Sequence, residues 1–274
     1  MNKYAIASLT CASLLLAANP AYAISLEEAG VEKGEVELQY EATYTDKNAE
    51  GAYEHEEEIE VQMGLTDWLL LTVGFGFEEE EGERDFEFSE LEGSVQIELV
   101  DPEKGGFGFA LLAGFSKEFA AESGEEDENT YKIGAIAEHH YNKWLFRGNL
   151  FYISDIDGDG EEEFDGVEYA YQIKYDVSEK LGVGVEGYGT HQEFDDPGED
   201  DVDQHMVGPV LYYSFERGND TSRHASIKDV AEIGGEDGDD EDEGIEFELQ
   251  AGVLFGTTDD TADVTYKWGL EIEF

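Results

Sequence analysis

The sequence predicts an all-β protein, an antiparallel up-and-down transmembrane β-barrel of twelve strands, and three observations support this fold class. The chain opens with an export leader, segments that alternate apolar and polar residues follow it, and the connections between these segments alternate between long and short. Strands with one apolar and one polar face, joined by short turns at one rim and long loops at the other, are typical of barrels that cross an outer membrane.

The leader, residues 1–23, predicts a signal peptide that is removed before folding. Lys3 supplies a basic start, residues 5–18 are mostly apolar, and Ala21-Tyr22-Ala23 has the small-x-small pattern of a cleavage site. Cys11 is the only cysteine of the chain and lies within this leader, so the mature chain has no disulfide available. We expect the barrel to occupy residues 24–274.

Twelve segments with a period of two follow the leader, and most reach about 10 residues, the length that a tilted strand needs to cross a hydrocarbon layer. They cover residues 35–45, 54–65, 68–77, 86–100, 106–119, 130–141, 144–153, 167–177, 181–192, 205–215, 244–257 and 262–274. After the leader, no apolar run is long enough for a membrane-spanning helix. A helical membrane protein is therefore excluded.

One connection departs from the alternation of long and short. Residues 216–243 should form a short turn, yet they are long and end in an acidic run from Gly234 to Glu243. Such a charge run predicts a solvated, disordered insert. The alternative is a strand pair within residues 226–233, which would make a barrel of fourteen strands.

The composition restricts the classes of partner. The formal net charge of −54 makes nucleic acid and anionic ligands poor partners. The 16 Phe and 15 Tyr residues are too many for a disordered polyanion. The acidic residues must therefore coexist with folded, aromatic-rich strands.

The alternation assigns an apolar face to lipid and a charged face to a water-filled lumen. In the fifth segment Phe107, Phe109 and Leu111 should face outward, opposite Gly108 and Ala110. A soluble barrel would invert this arrangement and bury many carboxylates in a dry core, at several kcal/mol for each unpaired ion. The residues predicted to line the lumen are Glu37, Glu41, Glu60, Glu92, Glu98, Lys132, Glu138, Arg147, Glu168, Lys174, Glu186, Glu246, Glu248, Lys267 and Glu271.

Aromatic residues are expected to gather at the membrane interface, where an amphipathic ring is apolar on one side and hydrated on the other. Six of them are predicted to lie close to the short-turn ends of their strands. They are Trp68, Tyr141, Trp144, Tyr175, Tyr213 and Trp268.

Two motifs could carry chemistry. Asp155, Asp157 and Asp159 open like a calcium loop, but Gly166 stands where the bidentate Glu is needed, so we expect only weak surface binding of Ca²⁺ or Mg²⁺ and no other cofactor. The segment His224-Ala225-Ser226 has the His-x-Ser spacing of the outer-membrane phospholipase family, although Ile227 replaces that family's Asn. We therefore do not expect an enzyme.

Several segments carry a family resemblance: 64–71, 209–213 and the ending 254–274. They resemble the proteobacterial outer-membrane barrels grouped with the meta-pathway phenol-degradation proteins, and this resemblance implies transport of small molecules. The terminal strand, with Tyr266, Trp268, Leu270, Ile272 and Phe274 on one face, also resembles the signal that the barrel-assembly machinery reads. The resemblance identifies no functional residue.

The sequence thus predicts a channel or porin-like protein of the Gram-negative outer membrane, which passes small cationic or neutral solutes through an acidic, cation-favouring lumen. Its other predicted partners are membrane lipid, lipopolysaccharide and the barrel-assembly machinery. The alternative is a structural barrel whose polyanionic surface loops bind divalent cations, because barrels of this size can be filled by their own side chains.

Overall fold

The computed structural model describes residues 26–46, 54–80, 86–119, 127–156, 164–194, 202–217, 245–258 and 261–274. The predicted signal peptide and nearly all of the predicted acidic insert lie outside these ranges. None of the described residues form a helix that is both long and apolar enough to cross a membrane. The strands, with one short 3-10 helix at Pro102–Lys104 between β4 and β5, are β1 (Val36–Asp46), β2 (Glu54–Thr66), β3 (Leu69–Glu80), β4 (Glu87–Val100), β5 (Phe107–Glu118), β6 (Glu128–Tyr141), β7 (Trp144–Asp155), β8 (Phe164–Ser178), β9 (Leu181–Phe194), β10 (Val202–Arg217), β11 (Ile245–Gly256) and β12 (Val264–Glu273).

These strands form one closed antiparallel ring. Each strand pairs with its neighbours in the chain, and β12 closes the ring on β1, with Glu37 opposite Glu273. The predicted barrel of twelve strands is confirmed. The alternative of fourteen is wrong, because β10 pairs directly with β11, with Arg217 opposite Ile245, and the ring is complete without further strands.

The predicted strand bounds differ from the observed ones mainly at the long-loop ends. β8 begins at Phe164 and β10 at Val202, because main-chain pairing continues into residues without apolar alternation. Glu216 and Arg217 belong to β10 and pair with β11, so the predicted insert begins too early.

The two rims of the barrel differ in their connections. At one rim, which we call the turn rim, two-residue turns at 67–68, 142–143 and 179–180 lie beside Val36 and Glu273. Asn142 has a positive φ of 56°, which Asn tolerates better than most residues in a tight turn. The opposite rim, which we call the loop rim, carries the connections that begin after β1, β3, β5, β7, β9 and β11.

The exterior of the barrel is apolar and the interior is mainly polar, with two small apolar clusters, an arrangement that inverts that of a soluble protein. Leu111 and Ile133 are 44% and 52% exposed on the outside, and the rings of Phe215 and Phe247 stack there with centroids 4.9 Å apart. Inside, charged and amide side chains such as Gln96 are buried. An exterior of this kind is stable against acyl chains and unfavourable against water.

Aromatic side chains form a band near each rim. Trp144 and Tyr175 contact each other close to the turn rim, with ring centroids 4.8 Å apart. The prediction that Trp268 joins this group is wrong: it lies in the middle of β12 opposite Ala42, and its ring is 5.7 Å from that of His55, near the loop rim. The prediction counted positions from the chain end, whereas the register between strands sets the height of a ring in the membrane.

Candidate functional site

The barrel interior is the candidate site, and all of the charged residues predicted to line it lie on the strand face that points inward. Six of them are buried: Glu37, Glu60, Glu92, Glu138, Glu186 and Lys267. Eight are half-buried: Glu41, Glu98, Lys132, Arg147, Glu168, Lys174, Glu248 and Glu271. Glu246 lies near the turn rim and is exposed.

Lys267 is the centre of a polar network that crosses the interior between β12, β1 and β9. Its Nζ lies 3.2 Å from Oε2 of Glu186 and 3.3 Å from Oε1 of Glu41, and it donates to the Tyr188 hydroxyl at 2.7 Å. Glu186 also accepts a hydrogen bond from the Tyr212 hydroxyl at 2.5 Å. Carboxylates therefore contact the buried ammonium group from two sides, and this attraction offsets the free-energy cost of its desolvation. We call Lys267, Glu41, Glu186, Tyr188 and Tyr212 the central network.

A second ion pair lies closer to the turn rim. Lys174 on β8 donates to both carboxylate oxygens of Glu248 on β11, at 2.9 Å and 2.7 Å, and Ser214 donates to the same carboxylate at 2.8 Å. β8 and β11 are not neighbours in the ring, so this contact also spans the interior. Cross-interior contacts of this kind narrow the space through which a solute could pass.

An N-terminal segment, residues 26–31, also lies inside the barrel. The backbone N–H of Ala29 donates to Glu138 at 3.1 Å, and that of Val31 donates to Glu98 at 3.0 Å. The side-chain amide of Gln96 donates to the Glu28 carbonyl at 2.8 Å. Ala29 is 0% exposed, so the wall encloses the segment closely. The lumen is thus partly filled by the chain's own N-terminal residues.

Arg147 fixes this segment electrostatically. Its guanidinium forms an ion pair with Glu28 of the segment and lies 3.4 Å from Oε2 of Glu138 on the neighbouring strand. The sequence analysis predicted Arg147 as a lumen residue but did not predict the segment that it binds. No alternation marks residues 26–31, and their hydrogen-bond and ion-pair partners are 67 to 119 positions away in the chain, so spacing alone gave no signal.

The wall near the loop rim is more acidic than the wall near the turn rim. Glu58 and Glu60 on β2 and Glu90 and Glu92 on β4 face inward there, and the nearby base is Lys132, whose Nζ lies 2.6 Å from Oε1 of Glu92. Sequence reasoning identified Glu60 and Glu92 but missed Glu58 and Glu90, although the same alternation that selected the first pair also selects the second.

Near the turn rim, the interior contains an open cavity of about 100 Å³ with charges of both signs. Arg147, Lys174 and Lys267 line it together with Glu41 and Glu271. The interior therefore changes in character along the barrel axis, from mixed charge near the turn rim to mainly acidic near the loop rim.

The motifs considered for metal binding and catalysis fall mostly outside the described ranges. Asp155 ends β7, whereas Asp157, Asp159 and the segment His224-Ala225-Ser226 are not among the described residues. Among the described residues, no group of three or more His, Cys, Asp or Glu side chains is placed to hold a metal ion.

Comparisons with known proteins show the fold. No family model and no curated protein matches the sequence. An outer membrane channel from Pseudomonas putida F1 is similar in structure, with a TM-score of 0.57 at 12% identity over 91% of this chain and 98% of that chain. The NanC porin has a TM-score of 0.50 at 9% identity over 86% of this chain and 98% of that chain.

The closed ring, the apolar exterior and these similar structures define the class: the chain folds as an outer-membrane β-barrel, as the sequence predicted. Within that class, the similar structures include a channel and a porin. The narrower resemblance to the meta-pathway barrels stays a prediction.

Proposed function

We propose that this protein is a narrow outer-membrane channel for small cationic or neutral solutes and not an enzyme. The observation that supports this proposal is the inward wall of the described strands, where each lysine and arginine is paired with a carboxylate and further carboxylates are present. Lys132, Arg147, Lys174 and Lys267 each form an ion pair with at least one inward or segment carboxylate. A lumen with an excess of negative charge concentrates cations and repels anions.

The size of the solute is limited by the N-terminal segment and the central network. Both occupy the interior, so an open path must pass beside Glu28 and Glu186. We therefore expect a small conductance and exclusion of oligosaccharide-sized solutes. The resemblance to meta-pathway barrels favours transport of small molecules in the same way.

The proposal is tested by reconstituting the purified barrel in liposomes and measuring osmotic swelling. Swelling should be fast with small amino compounds such as glycinamide, slower with neutral arabinose, and absent with a trisaccharide. Protein-free liposomes of the same lipid composition give the baseline. Equal rates for small anions and small cations would contradict the proposed acidic lumen.

A second candidate function is a closed structural barrel whose acidic surface loops hold divalent cations that bridge to lipopolysaccharide. The observation that favours it is the filling of the interior, since Ala29 and Lys267 are almost fully buried. This candidate predicts no swelling with any solute. It also predicts that chelation of divalent ions weakens binding of the barrel to lipopolysaccharide.

The C-terminal strand supplies a further proposed interaction, with the barrel-assembly machinery. Tyr266 and Trp268 are exposed outward on β12, and the N–H of Phe274 donates to the Val36 carbonyl at 3.0 Å, beside the seam between the first and last strands. An exposed aromatic terminus at the closing strand pair suits recognition before the barrel closes.

A further inference from the structure

Three adjacent strands place four carboxylates on two rungs of the inner wall. Glu60 and Glu92 are the register partners of Gly74 on β3, and the next rung repeats this arrangement around Gly76. The rungs are about 7 Å apart, because same-face residues of a strand are separated by two residues. We call this set the carboxylate ladder. It consists of Glu58, Glu60, Glu90 and Glu92, with Gly74 and Gly76 between them.

Gly74 leaves a small recess beside the carboxylates of β2. A Cβ atom at Gly74 would lie 3.1 Å from Oε1 of Glu58, 3.5 Å from Oε1 of Glu60 and 3.5 Å from the Cβ of Glu92. A Cβ atom at Gly76 would lie 2.9 Å from the Cβ of Glu90. The recess at Gly74 is therefore bordered by carboxylate oxygens, whereas the Glu90 side chain already packs over Gly76.

One carboxylate of the ladder lacks a partner. Glu60 is 3% exposed, and its Oε2 atom accepts no hydrogen bond. A buried, unsatisfied carboxylate oxygen is unfavourable unless a donor or cation reaches it. Lys132 contacts Glu92, and no other described cationic side chain forms an ion pair with the ladder. The ladder therefore has the charge and the open acceptor that a cationic ligand would satisfy.

The shape of the ladder favours an extended organic cation over a metal ion. A metal ion needs several ligands converging on one point, and no such group occurs among the described residues. The Cα positions of the four carboxylates instead occupy two successive rungs. A linear diamine with a spacer of four methylene groups places its nitrogens about 6 Å apart when extended, by ordinary bond lengths, which is close to the separation of the rungs.

We propose that the carboxylate ladder binds a linear aliphatic diammonium compound, with one ammonium group at each rung. Glu58 and Glu90 lie toward the loop-rim ends of β2 and β4, so a ligand would approach the ladder from that rim. The inference deepens the proposed function, because it names a substrate class for an acidic lumen. Binding itself does not require conduction.

Titration calorimetry with the detergent-solubilised full chain tests the proposal, with putrescine as the probe. The wild-type barrel should bind putrescine, and Glu58→Gln and Glu60→Gln should each weaken binding about tenfold, the effect of one lost charge-assisted hydrogen bond. Glu179→Gln is the control, since it removes an exposed carboxylate in the turn between β8 and β9 at the turn rim and should bind like the wild type. Butylamine, which has one ammonium group, should bind at least about tenfold more weakly than putrescine.

Gly74→Ala keeps every charge but fills the recess, so it should also weaken putrescine binding while leaving thermal unfolding in detergent nearly unchanged. The proposal is overturned if putrescine does not bind, if Glu60→Gln binds it as tightly as the wild type, or if butylamine or Ca²⁺ binds equally well. A cation-selective current without putrescine binding would overturn only the proposal that the carboxylate ladder binds a diammonium compound. Putrescine binding without any current would overturn only the proposal that the barrel is a channel.

Discussion

At the scale of single residues, Lys267 is the position on which the interior depends most. Its side chain is 1% exposed and is held between Glu186, Glu41 and the Tyr188 hydroxyl. The removal of one partner from a buried ion pair leaves an uncompensated charge in a poorly solvated environment. The stability of the barrel should therefore be unusually sensitive to this lysine.

We expect Lys267→Met to lower the free energy of unfolding by about 3–5 kcal/mol, because Glu186 and Glu41 both lose their cation. The measurement is urea unfolding of the barrel in detergent, followed by tryptophan fluorescence. Adding Glu186→Gln to Lys267→Met should restore part of the loss, since one of the two orphaned charges is then removed.

The control for this prediction is Lys104→Met. Lys104 lies in the exposed connection between β4 and β5, where it forms an ion pair with Asp101, and its side chain is 84% exposed. Solvent screens such a pair, so little change in stability is expected. Equal unfolding curves for the variants at Lys267 and Lys104 would show that the central network does not stabilise the barrel.

Sequence alternation located Lys267 on the inward face but not its partners. Lys267 and Glu186 are separated by 81 positions in the chain and meet across the interior. Strand parity gives the face of a residue, whereas its neighbours depend on register, tilt and closure of the ring. Inward positions could therefore be predicted, and the contacts that connect them could not.

At the scale of elements, the N-terminal segment is the feature that would most affect passage through the proposed channel. It is fixed by backbone hydrogen bonds to Glu138 and Glu98 and by the ion pair between Glu28 and Arg147. Gly64 permits its entry at the turn rim, where a Cβ atom would overlap the Glu32 carbonyl. A change in the segment should therefore alter conductance without changing the strands.

We expect Ala29→Glu to expel the segment, because the new carboxylate would be forced against Glu138 in a space with 0% exposure. Single-channel conductance in planar bilayers should increase roughly twofold or more as the lumen opens. The segment should also become accessible to protease from the turn-rim side.

Lys33→Glu provides the matched comparison, since it adds a carboxylate to the same stretch of chain at an exposed position. Its conductance should remain close to that of the wild type. If Ala29→Glu and Lys33→Glu conduct alike, the segment does not limit passage.

The strands could be predicted and the N-terminal segment could not, for one physical reason. A strand between lipid and water alternates apolar and polar residues with a period of two. Each of the twelve strands can therefore be recognised from its own residues. The segment lies inside the barrel, where polar side chains and the apolar cluster around Ala29 both contact it, and it has no periodic requirement. The height of Trp268 was predicted wrongly for a related reason, since it depends on pairing with β1 and β11.

At the scale of the whole molecule, charge and apolar surface are separated by the barrel wall. Outward side chains such as Leu111 and Ile133 face lipid, while the formal net charge of −54 is distributed over the interior and the connections. In the proposed channel, such an arrangement would place a negative potential along the axis of the barrel. The selectivity for cations over anions is therefore the property that follows most directly from this distribution of charge.

The reversal potential of the purified barrel in a planar bilayer under a potassium chloride gradient measures this ion selectivity. We predict a reversal potential whose sign indicates selectivity for potassium over chloride. The double variant Glu58→Gln and Glu60→Gln should reduce the magnitude of this potential. The account would be contradicted by a reversal potential whose sign indicates selectivity for chloride. It would also be contradicted if neither the wild-type barrel nor the Ala29→Glu variant carried any current.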